Sequence, residues 1–274
     1  MSRMSRSPLP YPPQNLLALA ICMATITPAL ADDSAASQQQ AAPGVIELGA
    51  SEITSNAFQL GSYTEGSQSY TTGSMATATK LPLSLRETPQ AVTVITRQRM
   101  DDQAMTSIND AVRATPGLFL SYANGPGRQA YTARGFDIDN LMYDGIPSGY
   151  SGVTIGAQPN LAMFDRVEVV RGATGLVTGA GNPSAAINLV RKRPLAEQKV
   201  TLTGAAGSHD DYRGEIDASS PLNQAGTLRG RVVASYRDAN SFIDNVEEDH
   251  GLFYAVTEAD LSEDTLLTVG FSHQ

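Results

Sequence analysis

Leu228-Arg229-Gly230-Arg231-Val232-Val233-Ala234-Ser235-Tyr236-Arg237 decides how the C-terminal part of this chain reads. Leu228, Gly230, Val232, Ala234 and Tyr236 make one row, and Arg229, Arg231, Val233, Ser235 and Arg237 make the other. A period of two sends alternate side chains to opposite faces of a strand. The pattern repeats on both sides. Upstream, Tyr212, Gly214, Ile216 and Ala218 alternate with Arg213, Glu215, Asp217 and Ser219. Downstream, Phe253, Ala255, Thr257, Ala259 and Leu261 stand opposite Tyr254, Val256, Glu258 and Asp260, and Leu267, Val269 and Phe271 form a last row. Tight connections fall near His209, Asn223 and Glu263, and a longer loop runs from Asp238 to His250. Segments of about ten residues joined by antiparallel hairpins are the pattern of a transmembrane β-barrel, apolar side chains toward lipid and polar ones toward the lumen. A soluble sandwich with one wet face carries the same alternation, so the pattern alone leaves both open.

The stretch from about Leu81 to Pro194 reads differently, as a compact α+β domain. Ala91-Val92-Thr93-Val94-Ile95, Arg166–Val170 and Ala186–Val190 read as strands. Met105 to Arg113 reads as a short helix, with Ile108 and Val112 on one face and Pro116-Gly117 as its stop. Gly and Pro punctuate the connections densely. Charged residues are 17% of the 274, below the usual quarter, and Trp is absent, which suits a β-rich protein better than a helical bundle.

The beginning of the chain reads as an address. Arg3 and Arg6 precede the apolar run Leu16–Ala24, and Ala29-Leu30-Ala31 has the small-x-small form of a cleavage site, so residues 1–31 read as a signal peptide. That run is too short to cross a bilayer, which takes about 20 residues. The one cysteine, Cys22, lies in the part expected to be removed. Removing Arg3 and Arg6 takes the net charge from −9 to −11, a poor balance for a nucleic-acid partner. Residues 32–79 read as a flexible periplasmic segment, low in complexity to Pro43 and polar from Gly49, around the apolar island Val45-Ile46-Glu47-Leu48. An island of this size does not fold alone, but it can add as a strand to a partner's sheet edge.

Several blocks, in order, resemble TonB-dependent siderophore receptors, the ferripyoverdine type in particular. They are Leu85-Arg86-Glu87-Thr88-Pro89-Gln90 with Val92–Ile95; Asp110-Ala111-Val112-Arg113-Ala114-Thr115-Pro116-Gly117; Ala133-Arg134-Gly135-Phe136; Tyr143-Asp144-Gly145-Ile146-Pro147; and Asp165–Gly172 running on to Arg191-Lys192-Arg193-Pro194. The resemblance implies an α+β plug domain at 80–195, followed at 196–274 by the first five or so antiparallel strands of a transmembrane β-barrel that has 22 in the family. The chain therefore reads as an N-terminal fragment. The implied function is import of a ferric siderophore into the periplasm across the bacterial outer membrane. The ligand would be an iron(III)-siderophore complex, with no cofactor and no directly bound metal. The implied partners are TonB with its inner-membrane energising complex, and outer-membrane lipid.

The resemblance also assigns residues. Val45, Ile46, Glu47 and Leu48 fall where the family carries its TonB box. Arg134 and Arg171 match plug arginines that pair with glutamates of the barrel wall. Arg128 and Tyr150 match apical plug positions that face the siderophore, with Tyr131 and Tyr122 as neighbours. Tyr and Arg can stack on and hydrogen-bond to bulky, anionic, chromophore-bearing chelates.

Other readings fare worse. Gly172–Gly181 is rich in glycine and follows a strand, but it lacks the Lys-Ser/Thr of a phosphate loop. His209, His250 and His273 are scattered without metal-ligand spacing. There is no G-x-S-x-G elbow and no credible triad, so the chain does not read as an enzyme. Arg191-Lys192-Arg193 reads as a solvated junction. Two alternatives stay open: a receptor for another metal chelate such as cobalamin, and an exported surface-binding β-domain that transports nothing.

Overall fold

Val92, Thr93, Val94 and Ile95 are β-branched, and the chain from Ala91 to Ile95 is extended as they favour. The computed structural model describes residues 63–121, 129–149, 159–175, 179, 183–240 and 247–274. The leader 1–31, the island Val45–Leu48, Tyr122, Arg128 and Tyr150 lie outside the described residues. In chain order the first domain runs β1 (Ala91–Ile95), α1 (Arg97–Asp102), α2 (Ile108–Arg113), β2 (Leu118–Ser121), β3 (Ala130–Ala133), β4 (Phe136–Asp137), β5 (Asn140–Tyr143), β6 (Ile146–Gly149), a 3-10 turn at Leu161–Met163, β7 (Phe164–Arg171) and β8 (Ala185–Arg191). The second part is β9 (Lys199–Ala206), β10 (Tyr212–Pro221), β11 (Leu228–Asn240), β12 (Glu247–Ser262) and β13 (Thr265–His273).

The central sheet has the order β1-β7-β8-β5-β6, and β2-β3-β4 forms a small second sheet. β1 and β8 both run antiparallel to β7, and β5 runs parallel to β8. The three strands read from the sequence are present, β7 and β8 each longer at both ends. The helix begins at Ile108 rather than Met105. Asp110 reaches back to accept the N–H of Ser107 at 3.0 Å and that of Thr106 at 3.1 Å, which fixes Ser107 as the residue before the first turn. α1 and the hairpins β2–β6 carried no readable period, because they are two to six residues long.

The second part is one antiparallel sheet, β13-β12-β11-β10-β9 in order. Its register stacks the apolar rows across strands: Ile216 beside Ala234 beside Phe253, and Ala218 beside Val232 beside Ala255 beside Phe271. That face is bare, with Leu202 75% exposed and Val269 and Phe271 62%. The opposite row turns onto the plug. Val233, Leu252, Tyr254 and Val256 join the plug's apolar core with Ile95, Ile108, Leu161 and Phe164, each such burial contributing about 1.5–3 kcal/mol. Among the described residues no helix is long and apolar enough to cross a membrane, and no closed barrel is formed.

Three expectations are corrected. Asp238–Asn240 and Glu247–His250 are not loop: they extend the β11–β12 ladder to the pair Asn240–Glu247. Backbone pairing needs no apolar side chain, so the ladder continues past the apolar rows. Residues 63–79, read as flexible linker, are docked on the plug: Thr64, Met75 and Ala78 are 1% exposed. Met75 and Ala78 fill a small core with Val94 and Val170. Lys192, read as part of a solvated junction, is 5% exposed, because the sheet folds back over it.

Candidate functional site

β2 and β3 present the two ends of the 122–128 segment side by side, Ser121 opposite Ala130. β6 ends at Gly149, opposite Asn140, one residue before Tyr150. Of the four candidate ligand residues only Tyr131 is described. It is 1% exposed in the plug core, and its hydroxyl donates to Asn109 Oδ1 at 2.8 Å. Tyr131 and Ala133 form the inward row of β3, so this tyrosine packs the plug core.

The Arg134 side chain reaches Gly172, the residue after Arg171. Arg134 is left-handed at φ +54°, followed by Gly135 at +83°, in the turn from β3 to β4. Such a backbone costs a non-glycine residue about 1–2 kcal/mol. Its guanidinium lies over Gly172, where an added Cβ would come within 2.8 Å of Nη1. Arg171 donates from Nη1 to the Pro116 carbonyl at 2.7 Å, while its Nε is buried without a hydrogen-bond partner. Among the described residues neither arginine has a carboxylate at ion-pair distance. The ion pairs that do join plug and wall are elsewhere.

Lys192 donates to Asp217 Oδ2 at 2.8 Å, Arg193 to Glu258 at 3.2 Å, and the Tyr254 hydroxyl to the Lys192 carbonyl at 2.8 Å. Arg231, 1% exposed, is the hub. It meets Asp217 from Nε at 2.8 Å and Nη2 at 2.6 Å, and Glu65 from Nη1 at 2.6 Å and Nη2 at 2.9 Å. Burial works to raise the Glu65 carboxyl, but the hydrogen bonds and charge of Arg231 outweigh it and hold it below the ordinary range. Burial, with Arg97 nearby, pushes the Lys192 ammonium down despite Asp217.

A second buried cluster anchors the N-terminal segment. Arg166 lies between Asp165 at 2.8 Å and Glu168 at 2.6 Å. Burial disfavours its charge, yet the two carboxylates raise its pKa. The Thr77 hydroxyl donates to Glu168 and accepts from Asn188 Nδ2 at 2.7 Å. Glu65, Lys192, Asp217, Arg231 and Glu258 were all missed as site residues. For Asp217, Arg231 and Glu258 the available signal was a charged residue in the inward row of a strand whose other row is apolar; Glu65 and Lys192 lie outside the strands and carried none. Among the described residues, no group of three His, Cys, Asp or Glu could hold a metal.

Residues 84–186 match the TonB-dependent receptor plug domain. The ferripyoverdine receptor of Pseudomonas aeruginosa is 51% identical over 241 residues, 86% of this chain and 29% of the relative. The chain belongs to the TonB-dependent receptor family. The ferric-pyoverdine BN7/BN8 receptor of Pseudomonas putida is 50% identical over 238 residues, again 86% of this chain and 29% of the relative. The solved pyoverdine outer membrane receptor of Pseudomonas aeruginosa PAO1, bound to pyoverdine, superposes with a TM-score of 0.73 at 51% identity, covering 76% of this chain and 31% of that one. This TonB-dependent receptor chain thus spans about three-tenths of the length of the curated relatives it matches, 29% for both.

Proposed function

We propose that this chain is part of an outer-membrane receptor that imports a ferric siderophore of the pyoverdine class into the periplasm, driven through TonB. The observation that carries the reading is a plug packed against the polar face of an antiparallel sheet whose other face is apolar and bare. Lipid satisfies the bare row, and the plug fills the lumen. The two relatives are receptors for ferric pyoverdines by name. The iron chelate is the transported substrate, and no catalytic step is assigned.

In this reading residues 1–31 direct export. Arg128, Tyr150 and Tyr122 contact the chelate, and Val45–Leu48 pairs with TonB. Arg134 and Arg171 receive carboxylates from barrel strands beyond β13, which would also satisfy the bare Nε of Arg171. Arg134 is exposed and Arg171 half-buried as the chain stands; once such strands cover them, an arginine without its carboxylate is costly, so these pairs hold the plug in register with the wall. The test is expression of the complete receptor in iron-limited cells stripped of their own ferric-siderophore receptors. Radiolabelled iron presented as ferripyoverdines should accumulate only when TonB is present. Accumulation of cobalamin instead, or of nothing while the chain sits in the outer membrane, would overturn the assignment.

A further inference from the structure

The segment that enters the plug is held at two places, and both holdfasts have a second partner. The N–H groups of Thr64 and Glu65 donate to the Asp165 carboxylate at 3.1 and 2.8 Å, and the Thr64 hydroxyl donates to the Asp165 carbonyl at 2.9 Å. The Glu65 carboxylate then spans to the wall, to Arg231 on β11 at 2.6 Å and to Lys199 on β9 at 3.4 Å. If this segment left, Asp165 would keep Arg166 at 2.8 Å. Arg231 would keep both oxygens of Asp217 and the Arg193 carbonyl at 2.8 Å. Lys199 is half exposed and would be solvated. Ordinarily, withdrawing one member of a buried ion pair strands a charge at a cost of several kcal/mol. Here the arrangement avoids that outcome at each charged contact, while the Arg97 N–H, which donates to the Thr64 hydroxyl at 2.9 Å, is a backbone group that gives up its partner.

Behind the segment lies a crevice of about 460 Å³ between plug and wall, lined by charged and apolar groups together. Gly66 and Gln68 border it on the segment, Arg97 and Met100 on α1, and Thr201 and Thr203 on β9. Thr201 and Thr203 are exposed although they belong to the inward row. We propose that Thr64–Gln68 is a removable strap across this crevice, and that the Glu65–Arg231 pair sets how readily it leaves. The proposal rests on the transport reading, because tension arriving from a TonB-bound Val45–Leu48 reaches Glu65 before it reaches any strand of the plug. The Glu65 carboxylate stays ionised beside Arg231, so the pair is intact under ordinary conditions.

The experiment uses the complete receptor in detergent with Met100→Cys as the reporter, at a crevice-lining position that is 0% exposed with the segment in place, and reads its rate of reaction with a small maleimide. Glu65→Gln should speed labelling about tenfold, the change that about 1.4 kcal/mol makes in an opening equilibrium. Glu65→Asp should restore much of the protection. Ferripyoverdine binding on ice and the melting temperature should match the parent in both. Unchanged labelling in Glu65→Gln overturns the strap. So does faster labelling that appears only with a lowered melting temperature, since it would report general loosening. A second arm joins Glu65→Cys to Lys199→Cys with a short bismaleimide. The strap predicts that uptake stops while binding persists, and continued uptake overturns it. The labelling result needs neither TonB nor transport, so it stands or falls separately from the import assignment.

Discussion

Lys192 and Asp217 meet at 2.8 Å where the plug's last strand hands over to the wall, both nearly removed from solvent. Asp217 also carries Arg231, so one carboxylate serves two cations.

That sharing predicts an order of damage. Asp217→Ala strands Lys192 and weakens Arg231, and should cost about 3–5 kcal/mol, the usual range for a buried pair broken on one side. Lys192→Met leaves Asp217 with Arg231 and should cost clearly less. Thermal unfolding of the complete receptor in detergent, followed by circular dichroism, reads both. Equal losses would show that the two cations do not share the carboxylate.

Glu65 gives a pH prediction with a definite sign. Its pKa is lowered from the ordinary 4.5, since Arg231 outweighs the effect of burial, with Lys192 lowering it further and Asp217 opposing. A carboxyl with a depressed folded-state pKa stabilises fully above its unfolded value and loses that contribution as pH falls through the folded value. The difference in labelling or melting between parent and Glu65→Gln should therefore be constant from pH 7 to about 5 and vanish at lower pH. A difference that grows on acidification would contradict the assignment.

The bare row of the sheet predicts lipid contact. Phe253 lies in the outer row beside Ala234, its ring centroid 6.4 Å from that of Phe271. Phe253→Arg should cost about 2–4 kcal/mol if that position lies near the bilayer midplane. It should lower the fraction of complete receptor that runs as the compact, unheated species on gels. Ser235→Arg on the inward row should instead disturb the plug through Asn160, whose Nδ2 donates to the Ser235 hydroxyl at 2.9 Å. Insertion unaffected by Phe253→Arg would place that row away from lipid.

Coupling to TonB is tested at Ile46. Proline removes a backbone donor and fixes φ, which blocks ladder pairing. Ile46→Pro in the complete receptor should abolish uptake of ferripyoverdine iron at growth temperature and leave binding on ice intact. Normal uptake would show that Val45–Leu48 is not the coupling segment.

What the sequence disclosed follows from the range of the interactions involved. The wall strands were legible because Arg229–Arg237 and its neighbours repeat a local period long enough to count. β1, β7 and β8 were legible as β-branched runs bounded by Pro and Gly. The burial of Tyr131 was not legible because Ala130 and Thr132 beside it are small, so a four-residue strand offers no apolar row to reveal its inward side. The docking of Thr64 and Glu65 was invisible for another reason. Their partner Asp165 is 101 positions from Thr64, and nothing local distinguishes Tyr63-Thr64-Glu65-Gly66 from linker.

The antiparallel pairing of β1 and β8 with β7 has a mechanical consequence. Ala91 aligns with Arg171 and Ala185 at one end of the sheet, and Ile95 with Val167 and Leu189 at the other. A chain pulled from ahead of Tyr63 loads β1 at its Ala91 end. The reaction force enters through β8 at its Arg191 end, where Lys192 and Arg193 are tied to the wall. Load and anchor thus act at opposite ends of the two strands that flank β7, and the β1–β7 ladder is sheared, all its hydrogen bonds straining together. The contacts of Thr64 and Glu65 stand in series along the chain and peel one after another. Under a rising pull the peeling contacts yield first, and the sheet survives to draw them back.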